Sequence, residues 1–166
     1  MTVRHGLVLA IYPNSRGIAF VVFEGERLLV DHGLRGARHK HNSHRCLAAI
    51  GDLCSEYHPG VIVLQNMDQA GTRRATRIRS LNAEIVALAA ALGIPVRSYS
   101  RTQVRDAFEQ LKEATKEAIA DAVAREIPTL RFYFPPPRKP WTSEHARMGV
   151  FDAAALALTF FWRNGD

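Results

Sequence analysis

Apolar positions in the first third of the chain come in short blocks separated by turn residues. Leu7 to Ile11, Ile18 to Phe23 and Leu28 to Leu34 each read as a strand. Tyr12-Pro13-Asn14-Ser15 closes the first block, Gly17 turns the chain, and Gly25 between Glu24 and Glu26 supplies the tight turn before the third. Together they predict an antiparallel meander. From His44 the period changes to a helical one, with Leu47, Ile50, Leu53 and Cys54 in phase up to Tyr57, and His58-Pro59-Gly60 stops it. VIVLQ, residues 61–65, is short and apolar up to its last residue, as in a strand buried on both faces. A long helix is expected over 74–92, with Ile78, Leu81, Ile85, Leu88 and Leu92 on one stripe and Gly93 as its cap.

Pro95 to Tyr99 reads as a fifth strand and Thr102 to Phe108 as a short helix. EATKEAIADAVAREIP gives another helix, closed by Pro128. RFYFPPPRKPW, 131–141, is expected to be non-helical, because its four prolines remove donors and bias their neighbours toward extended backbone. Ser143 to Trp162 is the last expected helix, with Ser143 as N-cap and Glu144 in its first turn. The order β-β-β-α-β-α-β-α-α-α predicts an α/β fold, a mixed five-stranded sheet with helices on both faces. In such a sheet a site forms at the carboxyl ends of central strands, where this reading places Tyr12 and Gln65.

At 166 residues, 47% hydrophobic and 23% charged, the chain has the composition of one globular domain, 1–166, rather than of a disordered segment. Its apolar runs are too short for a membrane span and its N-terminus lacks a signal-peptide pattern, so a cytoplasmic protein is expected. Cys46 and Cys54 lie eight apart on one helix, about 12 Å of rise, which excludes a disulfide between them and leaves buried free thiols. His39 and His41 lack a zinc-ligand spacing.

The net charge of +6 is unevenly spread. One cluster joins Arg35, Arg38, His39, Lys40, His41, His44 and Arg45; a second joins Arg73, Arg74, Arg77 and Arg79; Arg138 and Lys139 form a third. Such clusters suit a phosphate backbone. RKPW adds an aromatic, Trp141, to two cations, a mixture suited to stacking on bases, although a hydrophobic plug beside the last helix is the plainer role for that tryptophan. Lys116 is a weaker phosphate candidate, with simple surface solvation as its plainer role.

Four segments resemble the RuvC-type Holliday-junction resolvases of the ribonuclease H-like superfamily. LAIYPNSRGIAFVVFE is similar to the opening strand-turn-strand, where an Asp-Pro-Gly-Ser pattern is usual, and VIVLQNMD to the fourth strand, which normally ends in glutamate. RRATRIRSLNAEIVALAAALGIPVRSYSRTQVRDAF is similar to the helix, strand and helix that follow, and TKEAIADAVAREIP with FDAAALALT to the last two helices. The resemblance spans nearly the whole chain and implies a sheet ordered 3-2-1-4-5. It further implies a nuclease with two Mg2+ ions held by four carboxylates, one on the first strand, one on the fourth and two on the final helix.

Carried over residue by residue, the first-strand aspartate falls on Tyr12 and the fourth-strand glutamate on Gln65. The final-helix aspartate falls on Asp152, which is kept, and its partner one turn earlier falls on Gly149. A phenol is a poor magnesium ligand, an amide lacks charge and glycine has no side chain. Other acids to weigh are Glu144, about 80° around and two turns before Asp152 if the helix includes it; Asp68, just past Gln65; and Asp106. Helix-end charge for Glu144, solvation for Asp68 and Asp106, and an ion pair of Asp152 with Arg16 or Arg147 are the structural alternatives.

The resemblance therefore points to a nucleic-acid-binding protein for branched or structured DNA, a homodimer, with most metal-binding carboxylates lost. The alternative is an active Mg2+- or Mn2+-dependent crossover-junction endodeoxyribonuclease whose ligands have moved to Asp152, Glu144 and Asp68. An actin-like ATPase of the same superfamily would need glycine-rich phosphate loops, and YPNSRG has no second loop behind it.

Overall fold

The computed structural model describes residues 6–14, 17–36, 43–67, 73–109, 115–137, 139, 141 and 145–164, without the side chains of 73–75. Five strands and five α-helices follow the expected order: β1 Val8–Asn14, β2 Gly17–Phe23, β3 Leu29–Arg35, α1 Ser43–Tyr57, β4 Val61–Gln65, α2 Arg73–Ala91, β5 Val96–Tyr99, α3 Arg101–Ala107, α4 Lys116–Glu126 and α5 Met148–Asn164. They form one sheet in the order β3-β2-β1-β4-β5. β1 pairs antiparallel with β2 and parallel with β4, and β5 extends the parallel half.

The period-two alternation of strands divides this sheet into two apolar faces. Val8, Ala10, Ala19, Val21, Phe23, Val61 and Val63 turn toward α4 and α5. Leu9, Ile11, Ile18, Phe20, Val22, Ile62 and Leu64 turn toward α1 and α2. All seven residues of β2 are buried, which is why its sequence is apolar without a break. α5 is buried from Met148 to Phe160 except at Asp152, so the single charged residue in its interior marks a break in an otherwise apolar helix. Cys46 and Cys54 are buried free thiols on α1, as expected.

Four local expectations need correction. β1 does not end at Tyr12 but runs to Asn14. Pro13 is tolerated because it pairs with Ile18 of β2 at a level beyond the last residue of β4, where its missing N–H costs no ladder bond. Arg131 to Tyr133 are helical after all, closing a 3-10 helix over Pro128–Tyr133. Pro128 presets its first turn, and Pro135 ends it by forcing Phe134 into extended backbone. α5 begins at Met148, so the helix expected to carry Glu144 at a fixed angle to Asp152 does not reach it. Finally, Trp141 is 79% exposed and plugs nothing.

At Gly17, the first residue of β2, only glycine fits. Its φ is +150°, and a Cβ there would lie 2.3 Å from the Arg35 carbonyl oxygen. The first hairpin is thereby pressed against the end of β3.

Candidate functional site

The register of β1 on β4 pairs Val8 with Val61, Leu9 with Ile62 and Ala10 with Val63. Continued by two residues it sets Tyr12 level with Gln65, on the same sheet face as Ala10 and Val63. That is the face covered by α5. Tyr12 and Gln65 therefore lie toward the ends of neighbouring strands, on the face over which α5, carrying Asp152, packs. Asn82 of α2 fixes the end of β4 by donating from Nδ2 to the Gln65 carbonyl at 2.9 Å, and the Asn66 N–H donates to the Tyr99 carbonyl at 2.8 Å.

Lys116 completes the cluster. Thr115 caps α4, its Oγ1 accepting from the Ala118 N–H at 3.1 Å, and this places Lys116 in the first turn. A cation at the positive end of a helix dipole is unfavourable unless a counter-charge faces it. Asp152 supplies one: Lys116 Nζ lies 3.1 Å from Asp152 Oδ2, with the two side chains 26% and 15% exposed. The same ammonium sits 5.4 Å from the centre of the Tyr12 ring, within range of a cation–π contact. The solvated role expected for Lys116 is therefore wrong, and the Asp152 ion pair is made with Lys116 rather than Arg147. Arg147 instead covers the Tyr133 ring, 5.2 Å from its centroid.

Gly149 explains how closely α5 descends on the sheet. A Cβ at this position would stand 2.9 Å from the Ala19 Cβ and 3.8 Å from both Asn14 Nδ2 and Tyr12 Cδ1. Asn14, the last residue of β1, thus borders the site; sequence reasoning misses it because Pro13-Asn14-Ser15 reads as a turn. Its signal is the in-phase spacing Val8, Ala10, Tyr12, Asn14.

These residues do not fit a pair of magnesium ions. Hard divalent cations require several anionic oxygens, and Tyr12, Gln65 and Gly149 offer none. The one carboxylate, Asp152, already holds an ammonium. Among the described residues, no three His, Cys, Asp or Glu side chains converge as a metal site would need. Asp106 is exposed on α3, and Asp68, Glu144 and Arg16 lie outside the described residues.

Of the basic residues, Arg77 and Arg79 are half-buried on α2. Arg79 donates from Nη1 to the Met67 carbonyl at 3.3 Å and from Nη2 to Thr76 Oγ1 at 3.2 Å, holding the exit of β4 against α2. Lys139 is exposed beside Trp141, its ammonium 5.7 Å from the ring centroid. Arg38, His39, Lys40, His41 and Arg138 lie outside the described residues, as do the side chains of Arg73 and Arg74. No helix among the described residues is long and apolar enough to cross a membrane.

No protein-family model matches the chain, and no curated protein sequence matches it. Solved structures do. RuvC of Thermus thermophilus superposes with a TM-score of 0.68 at 20% identity, over 96% of each chain. T. thermophilus RuvC in complex with a Holliday junction substrate gives 0.67 at 19% identity, again over 96% of each chain. The yeast mitochondrial Holliday junction resolvase Ydc2 gives 0.66 at 10% identity, covering 99% of this chain and 82% of that one. With the sheet order β3-β2-β1-β4-β5 and helices on both faces, the protein has the RuvC-type resolvase fold of the ribonuclease H-like class.

Proposed function

We propose that this chain is one RuvC-like domain that binds branched or structured DNA without hydrolysing it. The observation that carries the reading is the Lys116–Asp152 pair at 3.1 Å, lying over Tyr12. An ammonium has taken up the remaining carboxylate of a site whose other three positions are a phenol, an amide and a glycine. Lys116 offsets the charge of Asp152 from within the fold, and on this reading binding a phosphate backbone needs no added divalent cation. The surplus of six positive charges favours a polyanion, and RuvC of the same fold has been solved with a Holliday junction bound. A homodimer is part of the same reading, supported by the exposed Val86 and Leu92 on and beside α2, and sedimentation at micromolar concentration tests it.

The deciding experiment measures binding and cleavage of a labelled four-way junction in Mg2+, in Mn2+ and in EDTA. Binding that persists in EDTA, with no strand scission in any of the three, is expected. Metal-dependent scission abolished by Asp152→Asn would overturn the reading in favour of an active endonuclease.

A further inference from the structure

In a 3-10 helix, side chains three residues apart eclipse one another. In and just before the helix over Pro128–Tyr133, this sorts the side chains into columns. Ile127, Leu130 and Tyr133 form an inward column: the first two are buried, and the Tyr133 ring is held edge-on to His32 at 4.9 Å and beneath Arg147 at 5.2 Å. Phe134 is fixed next to it, edge-on to Phe151 at 5.2 Å. Thr129 and Phe132 form an outward column, and Phe132 is 93% exposed.

Phe132 is therefore a bare aromatic ring on a backbone anchored at Leu130, Tyr133 and Phe134. Leaving such a ring in water forgoes roughly 1.5–3 kcal/mol of burial. Arg131 beside it is exposed, as is Arg147, whose guanidinium carbon lies 5.2 Å from the centre of the Tyr133 ring. Trp141 with Lys139 repeats the pairing of exposed aromatic and cation farther along the proline-rich segment. The anchors of this strap, Arg147 and Phe151, lie just before and within α5, the helix that carries Gly149 and Asp152, so the strap is tied to that element.

We infer that Phe132 is a stacking platform for an unpaired nucleobase, with Arg131 and Arg147 taking the flanking phosphates. The inference rests on the DNA-binding reading and adds to it that the recognised element includes bases without a pairing partner. Charge decides against an apolar protein partner, whose docking would strip water from two guanidiniums with nothing to compensate them. An aromatic face between cations is what a single strand offers a use for, since every base has a π-face and every linkage a negative charge.

The test uses the full chain, a forked DNA with 2-aminopurine at an unpaired position, and a fully paired duplex of the same length. Wild type is expected to change the probe's fluorescence and to prefer the fork. Phe132→Leu, read alongside its circular dichroism, is expected to lose the probe response and to weaken fork binding roughly 5- to 150-fold. Duplex affinity should stay level, and Phe132→Trp should retain the fork preference. Fork binding untouched by Phe132→Leu overturns the platform while leaving DNA binding intact. No affinity of wild type for either DNA overturns both. A change in oligomeric state on Phe132→Leu with DNA affinity unmoved assigns the ring to a protein interface and also overturns the platform.

Discussion

At Gly149 a methyl carbon would come within 2.9 Å of the Ala19 Cβ, so α5 rests on β2 with nothing between them. Placing a carboxylate there is a packing problem before it is a chemical one. Gly149→Asp is expected to destabilise the protein by about 1–3 kcal/mol, the cost of overpacking a close contact, and to yield no junction cleavage; denaturant unfolding and a nuclease assay check both parts. Lys116 and Asp152 depend on each other in a different way. Asp152→Asn leaves an ammonium facing the positive end of α4, and its cost should fall between the ~1 kcal/mol of an exposed pair and the ~3–5 kcal/mol of a buried one. Adding Lys116→Met to that variant should recover part of the loss, and a double-mutant cycle by thermal unfolding measures the coupling. A cycle showing independent effects would remove the pair from the account of the site.

Among the elements, those with the clearest periodicity are the most legible. The helical stripe of α1 sets Ile50, Leu53 and Cys54 inward, and all three are buried. Burial raises the thiols of Cys46 and Cys54 above their ordinary value of 9.0. The stability they contribute as neutral groups is complete below the unfolded thiol pKa, and it is lost as pH rises through the higher native one. Native protein should therefore react slowly with a thiol reagent at pH 8, and denatured protein should react at once with two equivalents; fast native labelling would show that α1 opens readily. The Tyr57 hydroxyl, donating to Asp31, is likewise pushed upward by that hydrogen bond first and burial second. Element ends are less legible. Ser143 and Glu144 look like a cap in sequence, yet α5 starts only at Met148, where continuous burial against the sheet begins.

For the whole molecule, the charge surplus predicts how binding responds to salt. Junction affinity should fall steeply with ionic strength, and neutralising Arg73, Arg74 and Arg77 together should flatten the log–log slope by roughly 0.9 for each phosphate no longer neutralised. An unchanged slope would place the phosphate-binding residues elsewhere, with Lys139 and Arg131 the next to test. Element order, the two-faced sheet and the identities of Tyr12, Gln65 and Gly149 are written in the chain itself, because they follow from periodicity and from the residue at each position. What Lys116 does, how little room Gly149 leaves, and that Phe132 points into water on a strap anchored to α5 emerge only in the packed molecule. Those depend on residues dozens of positions apart meeting at the depth to which α5 and α4 settle on the sheet, and no local pattern encodes that depth.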